Sequence, residues 1–155
     1  MAMIVLLIVH GLLAVALLGA VTHQAVAVWW PVRAHAGSFL TKFRAVPSTT
    51  YVGAIIALYL ATVLLGAIIY THYTISARIA IMQLQLWKPY GLFEIKEHFA
   101  ALGLGILPAY WYFWQASAAN ENARMRAILT ALLAFIVWWN FLIGHIINNL
   151  RGFGS

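Results

Sequence analysis

The sequence contains no cysteine, and this absence excludes several kinds of site. Disulfides, thiolate-ligated zinc, iron–sulfur clusters and covalently attached c-type haem all require cysteine sulfur. Acidic residues are also scarce, because Asp and Glu together number 3, against 6 histidines. Imidazole is therefore the main metal-binding group that the chain offers.

Charged residues make up only 8% of the 155 residues, whereas 65% are hydrophobic and the mean hydropathy is +0.91. A chain of this size cannot bury so much apolar surface inside a water-soluble domain, so its expected partner is the lipid bilayer. A net charge of +6 is compatible with nucleic-acid binding. The basic residues lie between apolar runs and form no continuous stripe, however, so we expect no nucleic-acid partner.

Four apolar runs are long enough to cross a bilayer, which takes ~20 helical residues. The first run resembles a signal peptide in position, but it has no basic residue before Arg33 to open one. We predict an all-α integral membrane protein, a four-helix bundle of up-down-up-down topology in a single transmembrane domain over residues 1–155. The predicted helices are approximately 3–30, 49–74, 92–116 and 126–149, with a break at Lys88-Pro89-Tyr90-Gly91 before the third.

Because successive predicted spans cross the membrane in opposite directions, each histidine can be assigned to one of the two membrane faces. We call face A the side that holds the N-terminus, the Thr74–Gly91 connection and the C-terminus, and face B the opposite side. Each predicted helix delivers one histidine to the half of the membrane next to face A: His10, His72, His98 and His145. Only His23 and His35 belong to the face-B side, and His35 lies in a basic connection. Ionisable groups inside a membrane are costly and usually functional, which makes the four face-A histidines candidate ligands.

Haem b is the first chemistry that suits four imidazoles in a helix bundle. Neighbouring helices pack ~8–10 Å apart, and the longer diagonal of a square bundle suits an iron held by two histidines. The diagonals pair His10 with His98 and His72 with His145, for one haem or two. Basic residues that could neutralise the propionates at face A are Arg78, Lys88, Lys96 and Arg151.

A compact transition-metal site for copper, iron or zinc is the second chemistry, built from the same four histidines. Glu94 is its candidate carboxylate, because residues 94 and 98 lie at i and i+4 and share one helix face. A third interpretation is a structural subunit that anchors a larger complex, with its histidines satisfied by backbone carbonyls. In that case Glu94 and Glu97 are acids that stabilise the start of a helix.

Four apolar helices with histidines concentrated in one leaflet resemble the small membrane b-type cytochromes. These include cytochrome b561-like proteins and the haem-bearing anchor subunits of respiratory dehydrogenases. The resemblance implies electron transfer between a haem and a quinone or a redox partner protein, as an oxidoreductase or a subunit of a larger respiratory complex, in a bacterial cytoplasmic membrane. Members with two haems place ligands in both leaflets, whereas here His23 is the one buried candidate on the face-B side.

Loop charge predicts the orientation of the chain, because short cytoplasmic loops carry the excess of Lys and Arg. Face B holds Arg33, Lys42, Arg44, Arg124 and Arg126, and face A holds Arg78, Lys88, Lys96 and Arg151. We therefore expect face B to be cytoplasmic and both termini to lie outside. A reporter that is active only in the cytoplasm, fused after Ser155, should stay silent, and a strong signal from it would invert this orientation.

Overall fold

The structure, a computed structural model, describes residues 1–30, 47–115 and 122–152. Arg33, His35, Lys42 and Arg44 lie outside these ranges, and the side chain of Arg151 is not described either. The described chain forms five α-helices and one 3-10 turn at Ser48–Thr50. The helices are α1 (Ala2–Trp29), α2 (Tyr51–Ile75), α3 (Ala77–Gln83), α4 (Trp87–Trp114) and α5 (Ala123–Gly152). The all-α prediction is confirmed over these ranges.

Three segments are long and apolar enough to cross a membrane: Ala2–Trp29, Ser48–Ile75 and Ala123–Asn149. Their apolar surface supports the prediction that the lipid bilayer surrounds the chain. Helix α4 has 28 residues, but its first half carries Lys88, Glu94, Lys96 and Glu97. Helix α4 is not one of the three segments, so a fourth span stays a prediction.

Helix α4 begins at Trp87, earlier than the start predicted near Leu92. Pro89 does not break it, because a proline in the first turn lacks only an N–H that has no helical partner there. The chain turns before this point, at the end of α3. Gln85 has a φ of 54°, and its N–H donates to the Met82 carbonyl while the Leu86 N–H donates to the Ile81 carbonyl. This pair of bonds is a Schellman motif, which ends α3 with a left-handed residue.

The long helices pack side by side in antiparallel neighbouring pairs. Helix α1 packs on α2 and α5, while α4 packs on α5 and, less extensively, on α2. The side chain of Gln24 near the end of α1 reaches Ser48 before α2, and His10 near the start of α1 lies beside Gly66 late in α2. The end of α1 thus lies beside the start of α2, and the start of α1 beside the end of α2, so the two helices are antiparallel.

The larger core lies in the halves of the helices nearest to face B. Val21, Ile55, Tyr110 and Leu133, from four different helices, are fully buried there. A smaller cluster around Tyr73, Ile143 and Ile147 lies toward face A. The packing is therefore tightest at the end opposite to the predicted histidine sites.

Polar side chains inside this core connect the helices by hydrogen bonds. The Tyr110 hydroxyl donates to Gln24 Oε1, and Gln24 Nε2 donates to the Ser48 carbonyl at 2.9 Å. Trp114 Nε1 donates to Thr130 Oγ1 at 3.1 Å, which joins α4 to α5. Each such bond between membrane helices contributes ~0.6 kcal/mol on average, and an unmade one leaves a polar group in an apolar environment.

Gly103 lets α2 and α4 approach each other closely. The Tyr59 hydroxyl donates to the Ala100 carbonyl at 2.9 Å, and its ring end lies where a Cβ on Gly103 would be. Tyr59 is 3% exposed, so its rigid ring has no free space into which to move. Gly105, in the same helix, has no atom within 4 Å of an added Cβ.

We expect Gly103→Ala to destabilise the protein and Gly105→Ala to leave it unchanged or slightly more stable. Both changes raise helix propensity equally, by up to ~1 kcal/mol. Only the methyl at residue 103 collides with Tyr59, at a cost of ~1–3 kcal/mol for an overpacked core. Thermal unfolding of the two variants in one detergent measures the difference, and equal melting temperatures would contradict the close approach.

Candidate functional site

His10 is a half-buried face-A histidine whose ring packs against a neighbouring helix. Its half-buried ring sits beside α2, where a Cβ added to Gly66 would be 3.4 Å from Cε1. The backbone of Thr62, one turn earlier in α2, is a hydrogen-bond partner of the same ring. Nδ1 is buried and has no hydrogen-bond partner among the described residues. A buried polar atom of this kind usually has a partner, so His10 is the strongest candidate ligand on structural grounds.

Lys96 and Glu97 of α4 are the charged groups nearest to His10, and both act on it electrostatically. Lys96 Nζ lies 2.9 Å from Glu97 Oε1 and 5.1 Å from the centre of the Phe93 ring. The Lys96 stem passes beside α5, where a Cβ added to Gly144 would lie 3.7 Å from Cε. Four helices therefore contribute to one level of the assembly: α1, α2, α4 and α5.

His98 and His145 lie at nearby levels but point outward. Both side chains are exposed on the described chain. His98 Nδ1 is 2.7 Å from the Glu94 carbonyl oxygen. Since a carbonyl only accepts, Nδ1 is the donor, and the neutral ring keeps its lone pair on Nε2. The Nε2 of His145 lies 3.1 Å from the Asn149 amide nitrogen, and its ring stacks on Phe141.

His98 and His145 are thus more exposed than His10, and the predicted pairs of His10 with His98 and of His72 with His145 stay predictions. His72 is half-buried near the end of α2. Over the described ranges, no three His, Asp or Glu side chains lie close enough to share one metal ion. The predicted pairing of Glu94 with His98 is also not formed by side chains, because the Glu94 carboxylate turns toward Arg78 at 3.6 Å.

Arg78 connects the short helix α3 to the start of α4. Its guanidinium donates to the Tyr90 hydroxyl, lies 5.2 Å from the centre of the same ring and is 3.6 Å from Glu94 Oε1. The hydrogen bond to Tyr90 raises the pKa of Arg78, and the Glu94 charge acts in the same direction. Arg78 thus has an anionic partner in Glu94, and its contact with a haem propionate stays a prediction.

Aromatic rings of α2 and α4 pack against one another in the face-A half of the assembly. The rings of Tyr73 and Phe93 stack with centroids 4.0 Å apart, and Tyr70 stacks on Phe93 at 6.0 Å. The Tyr73 hydroxyl is buried without a partner among the described residues. These rings lie in the smaller face-A core rather than in a belt facing lipid.

Sequence reasoning did not single out several polar residues inside the assembly. Gln24 and Tyr110 form the buried hydrogen bond between α1 and α4, and Asn140 has a buried Oδ1 with no partner among the described residues. His23 packs its ring on Tyr51 with centroids 4.7 Å apart. The sequence does mark Gln24 and Asn140, because each is a single amide side chain within an otherwise apolar run.

Comparisons with protein-family models, curated proteins and solved structures returned no match to this chain. The similarity to membrane b-type cytochromes therefore rests on the arrangement of helices and histidines, and it stays a prediction.

Removing the Arg78 side chain should loosen α3 from α4. In Arg78→Gln, the contacts with Tyr90 and Glu94 are weakened, and amide hydrogen exchange in α3 should become roughly two- to fivefold faster, as for other partly exposed ion pairs. Lys88→Gln is the matched control, since it also removes one positive charge near the turn, from an exposed side chain. Hydrogen exchange with mass spectrometry measures both, and equal rates in the two variants would show that Arg78 does not hold α3.

Proposed function

We propose that the chain is a four-span membrane b-type cytochrome in which His10 is one axial ligand of haem b. It would exchange electrons with a quinone or a redox partner protein, as an oxidoreductase subunit of the bacterial cytoplasmic membrane with both termini outside. The observation that carries this proposal is the buried Nδ1 of His10, which lacks a partner among the described residues. An imidazole nitrogen in an apolar span needs a partner, and an iron supplies one.

A fourth span by α4 is part of this proposal. The helix is longer than the ~20 residues that a bilayer requires, and it packs on both α5 and α2. Its charged residues all lie in the half nearest to face A, where long side chains can reach the membrane surface. Its other end carries Trp111, Tyr112 and Trp114, the residue types that favour the interface.

The residues present would fit a haem in chemistry, with His10 as the half-buried candidate ligand. Gly66 leaves room for the His10 ring, and His98 carries an available lone pair on Nε2. His98 and His145 lie on the outer sides of their helices. The second ligand is therefore to be assigned by substitution among His72, His98 and His145.

The chain's own residues would hold and tune the group. His10 would bind the iron, and the apolar faces of α1 and α2 would exclude water from it. Lys96 is the cation closest to this level and would neutralise a propionate, with Glu97 limiting the excess positive charge. When bound, haem supplies a one-electron couple whose potential depends on its ligands, burial and hydrogen bonds.

A structural anchor for a larger complex is the second candidate function. The contacts that favour it are those of His98 with the Glu94 carbonyl and of His145 with Asn149. One nitrogen of each ring thus has a partner within its own helix, as expected for histidines without a ligand role.

Absorption spectroscopy of the purified protein tests the proposal. We expect a Soret band, sharp α and β bands on reduction and a b-type pyridine haemochrome, because no cysteine exists for covalent attachment. His10→Ala should abolish these bands. Gly66→Leu should weaken them by displacing the His10 ring, whereas Gly53→Leu, where an added Cβ meets no atom within 4 Å, should keep them.

A colourless protein that contains stoichiometric copper, zinc or iron would indicate a compact metal site instead of a haem site. A protein with neither colour nor metal would support the structural anchor function. Loss of the low-spin spectrum in one of His72→Ala, His98→Ala or His145→Ala would identify the second ligand.

A further inference from the structure

The short helix α3 and the turn after it carry an apolar surface at the face-A end of the assembly. Large apolar side chains are exposed along this stretch: Ile79, Met82, Leu84, Leu86 and Trp87. Leu84 is 66% exposed and Trp87 is 60% exposed. A contiguous exposed apolar patch of this kind marks a site of contact with a protein or a membrane.

Helix α3 has three different sides. Ala77 and Ile81 lie one turn apart and pack against the smaller core near face A. Ile79 and Met82 lie three residues apart on a second side, and both are exposed. Ala80 is also exposed, and the helical turn of about 100° per residue places it on a third side, away from Ile79 and Met82. The helix therefore has a core side, an apolar outer side and a small-residue outer side.

The apolar outer side of α3 continues the outer surface of α2. Leu64, Ile68 and Ile75 of α2 are exposed, and their spacing places them in one row along the helix. The segment Ser48–Ile75 is long and apolar enough to cross a membrane, so this row faces lipid. The backbone leaves the helical conformation at Ser76, with φ −125° and ψ −77°. Helix α3 can therefore take a direction of its own directly after the lipid-facing row.

The length of the preceding span sets the level at which α3 begins. Ser48–Ile75 has 28 residues, or about 42 Å of helix, which matches the ~40–45 Å of a bilayer with its headgroups. Helix α3 thus starts at the membrane surface, where it either projects into water or lies along that surface. Exposed apolar side chains favour the second arrangement. Trp87 and Lys88 follow α3 and are exposed, and these residue types favour the interface and the headgroups.

We propose that α3 docks on the lipid bilayer at face A, with Ile79 and Met82 inserted below the phosphates and Ala80 toward water. Trp87 then lies at the headgroup level. Lipid is the occupant, rather than a partner protein, because the patch is continuous with the lipid-facing row of α2. This docking requires no haem, so the inference is independent of the proposed electron transfer.

Site-directed spin labelling of the full chain in phospholipid nanodiscs tests the docking. The chain contains no cysteine, so each of Ile79→Cys, Met82→Cys and Ala80→Cys carries one nitroxide. Oxygen concentrates in the bilayer, whereas a neutral nickel chelate stays in water, and the ratio of their collision rates with the label gives its depth. Labels at residues 79 and 82 should lie ~5–10 Å below the phosphates, and the label at residue 80 should collide mainly with nickel. Leu64→Cys, near the middle of α2, is the control for a lipid-facing label.

Two results would overturn the proposal. Frequent nickel collisions at residues 79 and 82, equal to those at residue 80, would show that the patch is open to water and free for a soluble partner. Few collisions with either reagent at residues 79 and 82 would show that protein covers the patch, as in contact with a second copy of the chain.

Trp87 provides a measurement that needs no label. The difference in fluorescence between the wild-type protein and Trp87→Phe isolates the Trp87 emission. Lipids brominated near the headgroup should quench this emission more strongly than lipids brominated near the ends of the acyl chains. Trp87 emission that neither lipid quenches would contradict docking at the headgroup level.

Discussion

Hydrogen bonding without water is the constraint on which this structure depends. An apolar bilayer offers no partners to the backbone, so the chain satisfies its N–H and C=O groups within long helices. The few polar side chains in the spans must then find partners in their own helix, as Thr62 and Asn140 do, or across helices. Tyr110, Gln24 and the Ser48 carbonyl do so in series, and they fix α4, α1 and the start of α2 relative to one another. The best-packed core surrounds these contacts.

The positions of the long helices along the sequence could be predicted from the apolar runs, because a span must be both long and uncharged. The start of α4 could not. Proline and glycine at residues 89 and 91 are typical of a turn, yet the turn occurs at Gln85, a residue type that rarely adopts a positive φ. The tertiary contacts of Arg78 with Tyr90 and Glu94 across that turn cannot be read from local sequence.

The level of the candidate site along the helices could be predicted from the sequence, but the directions in which its side chains point could not. Counting turns from the membrane face brings residues 10, 66, 96 and 144 to one level, and the contacts of His10 and Lys96 agree with this. The direction of a side chain around its helix needs a contrast between polar and apolar faces. Helix α1 is apolar all round, so its sequence does not show which neighbour His10 faces. In α4, the inward face belongs to Lys96 and Gly103, and His98 lies on the outer side.

The contact between Gln24 and Ser48 also changes what the connection between α1 and α2 has to do. It joins residues 24 positions apart, close to the end of one span and the beginning of the next. Helix pairing at this end is thus supported by a hydrogen bond as well as by the packing of α1 on α2. Closing a loop twice as long costs only about 0.6 kcal/mol more. Insertions between these two helices should therefore be tolerated in evolution about as readily as the loss of one average hydrogen bond between membrane helices, ~0.6 kcal/mol.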